Sequence, residues 1–146
     1  MNDSYRKLAI AVGINTVVMF LLTYALIDQF DHFYPNINRA YMAVMMSAPM
    51  VVVMLIVMAS MYPDRRRNLY LIGGFTALFV VVFTMGRLQT GVGDDQFLRS
   101  MIPQHSSAIV MCEEAALTDP EILDLCDEIV ATQEREIAEM KDLLRG

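Results

Sequence analysis

Three long apolar stretches constrain this chain more than anything else in it. Residues 8–27, LAIAVGINTVVMFLLTYALI, carry no charged side chain, and a helix needs roughly 20 such residues to cross the hydrocarbon core of a bilayer. Comparable stretches occupy about 40–62 and 69–87. In lipid each backbone N–H and C=O must be satisfied within its own segment, so the stretches predict transmembrane helices. The first is longer than the apolar part of a cleaved signal, and no small-x-small site closes it, so it reads as a retained span.

Basic residues set the expected orientation. Arg6 and Lys7 precede the first span, and Arg65, Arg66 and Arg67 separate the second from the third. Both groups are expected in the cytoplasm. The loop DQFDHFYPNINR, with Arg39 against Asp28 and Asp31, is expected outside. Arg87, at the far end of the third span, dissents. Three spans with the N-terminus inside leave the C-terminal segment extracytoplasmic, in a bacterial plasma membrane. Asp28, Asp31 and His32 read as a solvated acidic loop, with cation capture as the alternative. Residues 1–93 hold seven basic and four acidic side chains, whereas residues 94–146 hold four and thirteen. That acidic end argues against nucleic-acid binding and is compatible with attracting cations.

Gly91, Val92 and Gly93 make a link that divides a membrane domain, 1–93, from a second domain, 94–146. Asp94 or Asp95 suits the cap of a helix reaching about Leu117. Thr118-Asp119-Pro120 then breaks it, with Asp119 fit to cap and Pro120 to open a helix reaching about Leu144. Apolar residues recur at three- and four-residue steps in both, among them Phe97, Met101, Ile109, Ile129, Ile137 and Met140. Together they predict an antiparallel helical hairpin. Folded about residue 119, it brings His105 opposite Gln133, Met101 opposite Ile137 beside Glu136, and Cys112 opposite Cys126. A hydrogen bond between His105 and Gln133 would satisfy both. Alternatively His105 and Met101, one turn apart, ligate a soft metal, completed by Met140, Met111 or Glu136. Pro103 should kink the first helix at the carbonyl of Arg99.

The second span adds Met42, Met46, Met50, Met54 and Met58 at an unbroken four-residue step. Each step turns a helix by roughly 40°, which lays the thioethers along a slowly winding stripe. Thioether sulfur is soft and favours Cu(I) over hard cations, but methionine also fills gaps between helices. Pro49 should kink this span and free the carbonyl of Met45. Ala43, Ser47 and Ala48, with Gly73, Gly74 and Ala77 of the third span, would permit close packing.

Phe97-Leu98-Arg99-Ser100-Met101-Ile102-Pro103-Gln104-His105, followed by Ala108-Ile109-Val110-Met111, resembles the signature of the domain-of-unknown-function 305 family. Gln133, Glu136-Ile137 and Met140 match its Q-x-x-E-I-x-x-M pattern. The likeness covers about residues 94–144. It implies a ferritin-like hairpin or bundle and a link to copper handling through methionine and histidine. Carried over residue by residue, the ligand candidates are Met101, His105, Met111 and Met140, with Gln133 and Glu136 behind them. Gln104 departs from the family's usual M-I-P-H-H, so any ligand supplied by that histidine is lost here. Cys112 and Cys126 stand where the family has small residues. They are compatible with a disulfide, two packed thiols or a second soft-metal pair.

The expectation is an all-α chain of three transmembrane helices followed by an extracytoplasmic antiparallel hairpin, a ferritin-like half-bundle. Its expected role is binding Cu(I) or Ag(I) from a membrane anchor. A permease using the methionine stripe, or a purely structural assembly protein, are the alternatives. No nucleophile–base pair, phosphate loop or zinc-protease motif points to an enzyme. A hairpin of about fifty residues buries little on its own, so a homodimer, or docking on the membrane helices, is expected.

Overall fold

The computed structural model describes residues 3–146. It has five helices: α1 Asp3–Leu22, α2 Ile37–Val57, α3 Arg65–Arg87, α4 Asp94–Glu114 and α5 Pro120–Arg145. No strand occurs among the described residues. Single 3-10 turns lie at Phe30–His32 and Ala59–Met61. The chain divides into two compact units, Met1–Thr23 with Asn38–Thr90, and Tyr24–Ile37 with Gly91–Gly146.

In the first unit α1, α2 and α3 are each long and apolar enough to cross a membrane. Two of them stop short of the apolar stretches that predict them. At the end of α1, the Thr23 hydroxyl donates to the Phe20 carbonyl (2.6 Å) and its N–H to the Met19 carbonyl (3.1 Å). These bonds close the last turn at Leu22, not near residue 27. After Val57, a 3-10 turn leads to a non-helical Tyr62 (φ −119°, ψ 82°), and the following Pro63 disfavours a helical conformation there. Asp64 then caps α3 by accepting from the Arg67 N–H (2.9 Å). The α-helix continues through Pro49.

The buried residues of α2, namely Arg39 near its start and then Ala43, Ser47, Ala48, Val51 and Leu55, recur at three- and four-residue steps and so lie on one face. Val51 and Leu55 pack with Tyr5, Leu8 and Tyr62. Asn15 Nδ2 donates to Ser47 Oγ (3.2 Å), a polar tie between α1 and α2 within otherwise apolar surroundings. Along α3 only Val82 is buried. Nothing lies within 4 Å of a Cβ built on Gly73 or Gly74, so these glycines make no close packing inside this chain.

In the second unit α4 and α5 pack around Ile102, Ile109, Ile137 and Met140. A disulfide joins Cys112 to Cys126, with Cα atoms 5.3 Å apart. His105 meets Glu136 about two turns further from the connection, so the helices run antiparallel. Asp119 accepts from the Glu121 N–H (2.9 Å) and Pro120 opens α5. Gly93, not an aspartate, occupies the N-cap of α4. Asp94 and Asp95 sit in its first turn, where negative charge favours the helix dipole.

Residues 24–37 are more than a connector, because they pack within this second unit. Pro103 lacks the N–H that would otherwise bond the Arg99 carbonyl. Asn36 Nδ2 takes that place, donating to Arg99 O at 3.2 Å. The same amide donates to Tyr34 O (2.9 Å) and to the Tyr24 hydroxyl (3.2 Å), and Tyr24 in turn donates to Tyr34 O (2.9 Å). Asn36 and Tyr24 are buried. The helix survives its proline because another segment supplies the missing donor.

Candidate functional site

His105 projects from α4 into the seam with α5, its side chain 15% exposed. Nδ1 lies 2.9 Å from the Met101 carbonyl, and Nε2 lies 3.0 Å from Glu136 Oε2. The seam register expects Gln133 as the partner, and Glu136 takes that place. Gln133 is only half-buried. One helical turn separates the two positions less a residue, so a small rotation of α5 decides between them.

A backbone carbonyl accepts only, so Nδ1 carries the proton in its contact with Met101. An ionised Glu136 carboxylate also only accepts, so in this contact Nε2 donates to it, and its lone pair becomes available to a metal once that proton leaves. Ligating histidines commonly have one N–H fixed by a carbonyl, as Nδ1 is here, with the other nitrogen taking the metal. The step from His105 back to Met101 in α4 is four residues, as is the step from Glu136 on to Met140 in α5. In an antiparallel pair both thioether residues therefore fall one turn from the imidazole–carboxylate contact. Met140 is buried in the core, and Met101 packs against it. Nitrogen with two thioethers is a soft donor set that suits Cu(I) or Ag(I). Among the described residues no three His, Cys, Asp or Glu side chains form a metal-binding group, so any site here depends on methionine sulfur.

Met111 lies apart from this group and is 67% exposed. The stripe on α2 is not gathered into a core either. Met42, Met46 and Met58 are exposed, Met46 by half, while Met50 and Met54 are half-buried and Met54 packs on the α1–α2 core. Beyond Arg39, small and aliphatic residues rather than the methionines form the buried face of α2.

His32 is buried, contrary to its reading as part of a solvated loop. Its Nδ1 lies 2.9 Å from the buried Ser106 Oγ, which also accepts from the Asp28 N–H at 2.7 Å. Burial, reinforced by the nearby Lys141 charge, lowers the His32 pKa below its ordinary value, with Asp31 and Asp28 opposing. Asp31 is bound to Lys141 Nζ (2.5 Å), which holds its carboxyl below the usual range. The Asp31 carboxylate and the Asp28 backbone N–H therefore help to dock residues 24–37. Sequence reading misses the arrangement because its partners stand more than 70 positions apart.

The family described as Domain of unknown function (DUF305) matches residues 83–144, which covers the end of α3 and nearly all of the hairpin. Among curated proteins, Uncharacterized protein L153 of Acanthamoeba polyphaga mimivirus is 32% identical over 111 residues, spanning 75% of this chain and 71% of that protein. No solved structure matches. With a family match over the hairpin and a relative aligned over most of both chains, the protein belongs to the DUF305 family.

Proposed function

We propose that this protein binds a soft monovalent cation, Cu(I) or Ag(I), through its hairpin while its apolar helices anchor it in a plasma membrane. The observation that carries this reading is the orientation of His105, with Nδ1 tied to the Met101 carbonyl and Nε2 aimed at Glu136, one turn from Met101 and Met140. Glu136 sets a carboxylate oxygen 3.0 Å from Nε2 and balances the charge of a bound cation. Met111 and the α2 methionines stand outside this site.

Two observations support an outer-face location for the hairpin. A disulfide such as Cys112–Cys126 persists in oxidising compartments. In a three-span chain the α1–α2 loop and the C-terminal segment lie on the same side, and here Tyr24–Ile37 and Gly91–Gly146 pack as one unit. The basic residues between α2 and α3 then face the cytoplasm.

The test is anaerobic Cu(I) titration of the full chain in detergent against a chromophoric chelator. Wild type should bind one equivalent per chain. His105→Ala and the pair Met101→Leu/Met140→Leu should each weaken binding by at least about tenfold, the range for loss of a ligand or its support. Met111→Leu should leave binding unchanged. Wild-type binding no better than that of His105→Ala would remove the proposal. A structural role is favoured instead by the exposed α2 methionines, and it predicts that no metal is retained.

A further inference from the structure

We infer that the first unit holds one acidic phospholipid, its acyl chain in a groove between α1, α2 and α3 and its phosphate on Arg66 and Arg67. The inference rests on the membrane reading above but not on metal binding.

The groove is about 380 Å³ and is lined by Tyr5, Leu8, Ala9, Val12, Val51, Leu71 and Phe75, with Arg67 its only charged residue. It adjoins a second hollow of about 350 Å³ lined by Asp64, Arg66, Arg67, Tyr70 and Leu71. Arg67 and Leu71 line both, so an apolar slot borders a basic pocket. A lipid has the same division between tail and headgroup.

The charge pattern identifies the headgroup. Arg6 and Lys7 share the Asp3 carboxylate, at 2.8 Å each. Among the described residues no carboxylate pairs with Arg65, Arg66 or Arg67, and all three are exposed. Asp64, the acid in the pocket, is committed to capping α3. Aromatic rings hold the guanidiniums in place. Arg67 lies over Tyr5, 4.8 Å from the ring centre, and Arg66 lies 5.9 Å from that of Tyr70. Tyr5 is fixed by its hydroxyl donating to Asn68 Oδ1 (2.8 Å). A preorganised pair of guanidiniums beside an apolar slot favours a phosphate ester that carries a hydrocarbon chain.

The test is native mass spectrometry of the full chain released from nanodiscs containing equal phosphatidylglycerol and phosphatidylcholine. Wild type should retain one phosphatidylglycerol in at least tenfold preference. Arg66→Gln/Arg67→Gln should abolish the preference. Ala9→Phe, which fills the slot and leaves the arginines intact, should lower retention of the same lipid. Glycerophosphoglycerol, the headgroup without chains, should not bind. Equal retention of the two lipids, unchanged retention in both variants, or binding of the chain-free headgroup would each overturn the inference. Extraction of the chain from membranes by alkaline carbonate would overturn the membrane reading and this site with it. Failure in a chain that stays embedded would remove only the lipid site.

Discussion

The two units of this chain satisfy their side chains in opposite ways. In the second, polar groups are matched across segments distant in sequence: Asn36 to Arg99, His32 to Ser106, Lys141 to Asp31 and His105 to Glu136. Its core residues Ile102 and Ile109 are fully enclosed. In the first, α3 buries one residue, and Leu69, Val57 and Val81 stand 54–75% exposed. The hairpin unit thus encloses a small core and pairs its buried polar groups, as a fold made in water does, although Phe97, Leu125 and Leu143 stay outward. The helical unit leaves its apolar surface outward, which is stable only where the surroundings are apolar too.

The contrast predicts where substitutions will be felt. Ile109→Ala should destabilise the hairpin unit by about 2–5 kcal/mol, through lost burial and the cavity left behind. Denaturant unfolding followed by circular dichroism would measure it. Replacing both Cys112 and Cys126 with serine should cost about 3 kcal/mol, given a closed loop of this size. The cysteines are 14 positions apart, and reduction of the wild type should reproduce the effect. Asn36→Ala should cost about 1–3 kcal/mol by leaving the Arg99 carbonyl without its donor. Amide exchange would locate that loss in the turn of α4 before Pro103.

Acidification acts on the same loop. His32 has a lowered pKa in the folded chain, so unfolding takes up a proton as pH drops. The stability it contributes is complete above the ordinary imidazole value of 6.5 and is lost progressively below it. Asp31 is also lowered, which extends the loss below its ordinary 3.8. Thermal melts at pH 7.5 and 5 should therefore separate more for wild type than for His32→Asn. The facing groups Asp28, Asp31, Glu134 and Lys141 remain in both proteins. The smallest effect belongs to the first unit. Val81→Ala on the exposed side of α3 should change stability by under about 0.5 kcal/mol in lipid. A loss as large as that of Ile109→Ala would show that α3 has a packing partner, and the comparison between units would fail.

Helix number and order are legible in the sequence because their signals are local. Charge-free stretches mark α1, α2 and α3, and Asp119-Pro120 marks the break between α4 and α5. The family is legible too, through the run from Phe97 to Met111 and the pattern around Glu136. The role of residues 24–37 is not. Asn36 and His32 sit in a segment without periodicity, and only tertiary structure reveals that one replaces the hydrogen bond Pro103 removes. The partner of His105 is missed by three residues, within the uncertainty of a register drawn from one fold point. The face of α2 is likewise hidden, because a four-residue methionine step looks the same whether it points inward or outward.

The central claim is that imidazole and thioether of the hairpin hold one soft cation together. X-ray absorption at the copper edge of the anaerobically loaded full chain tests it most directly. The account predicts a shell containing both sulfur and imidazole nitrogen, with sulfur lost in Met101→Leu/Met140→Leu and nitrogen lost in His105→Ala. A shell unchanged by either substitution would contradict it.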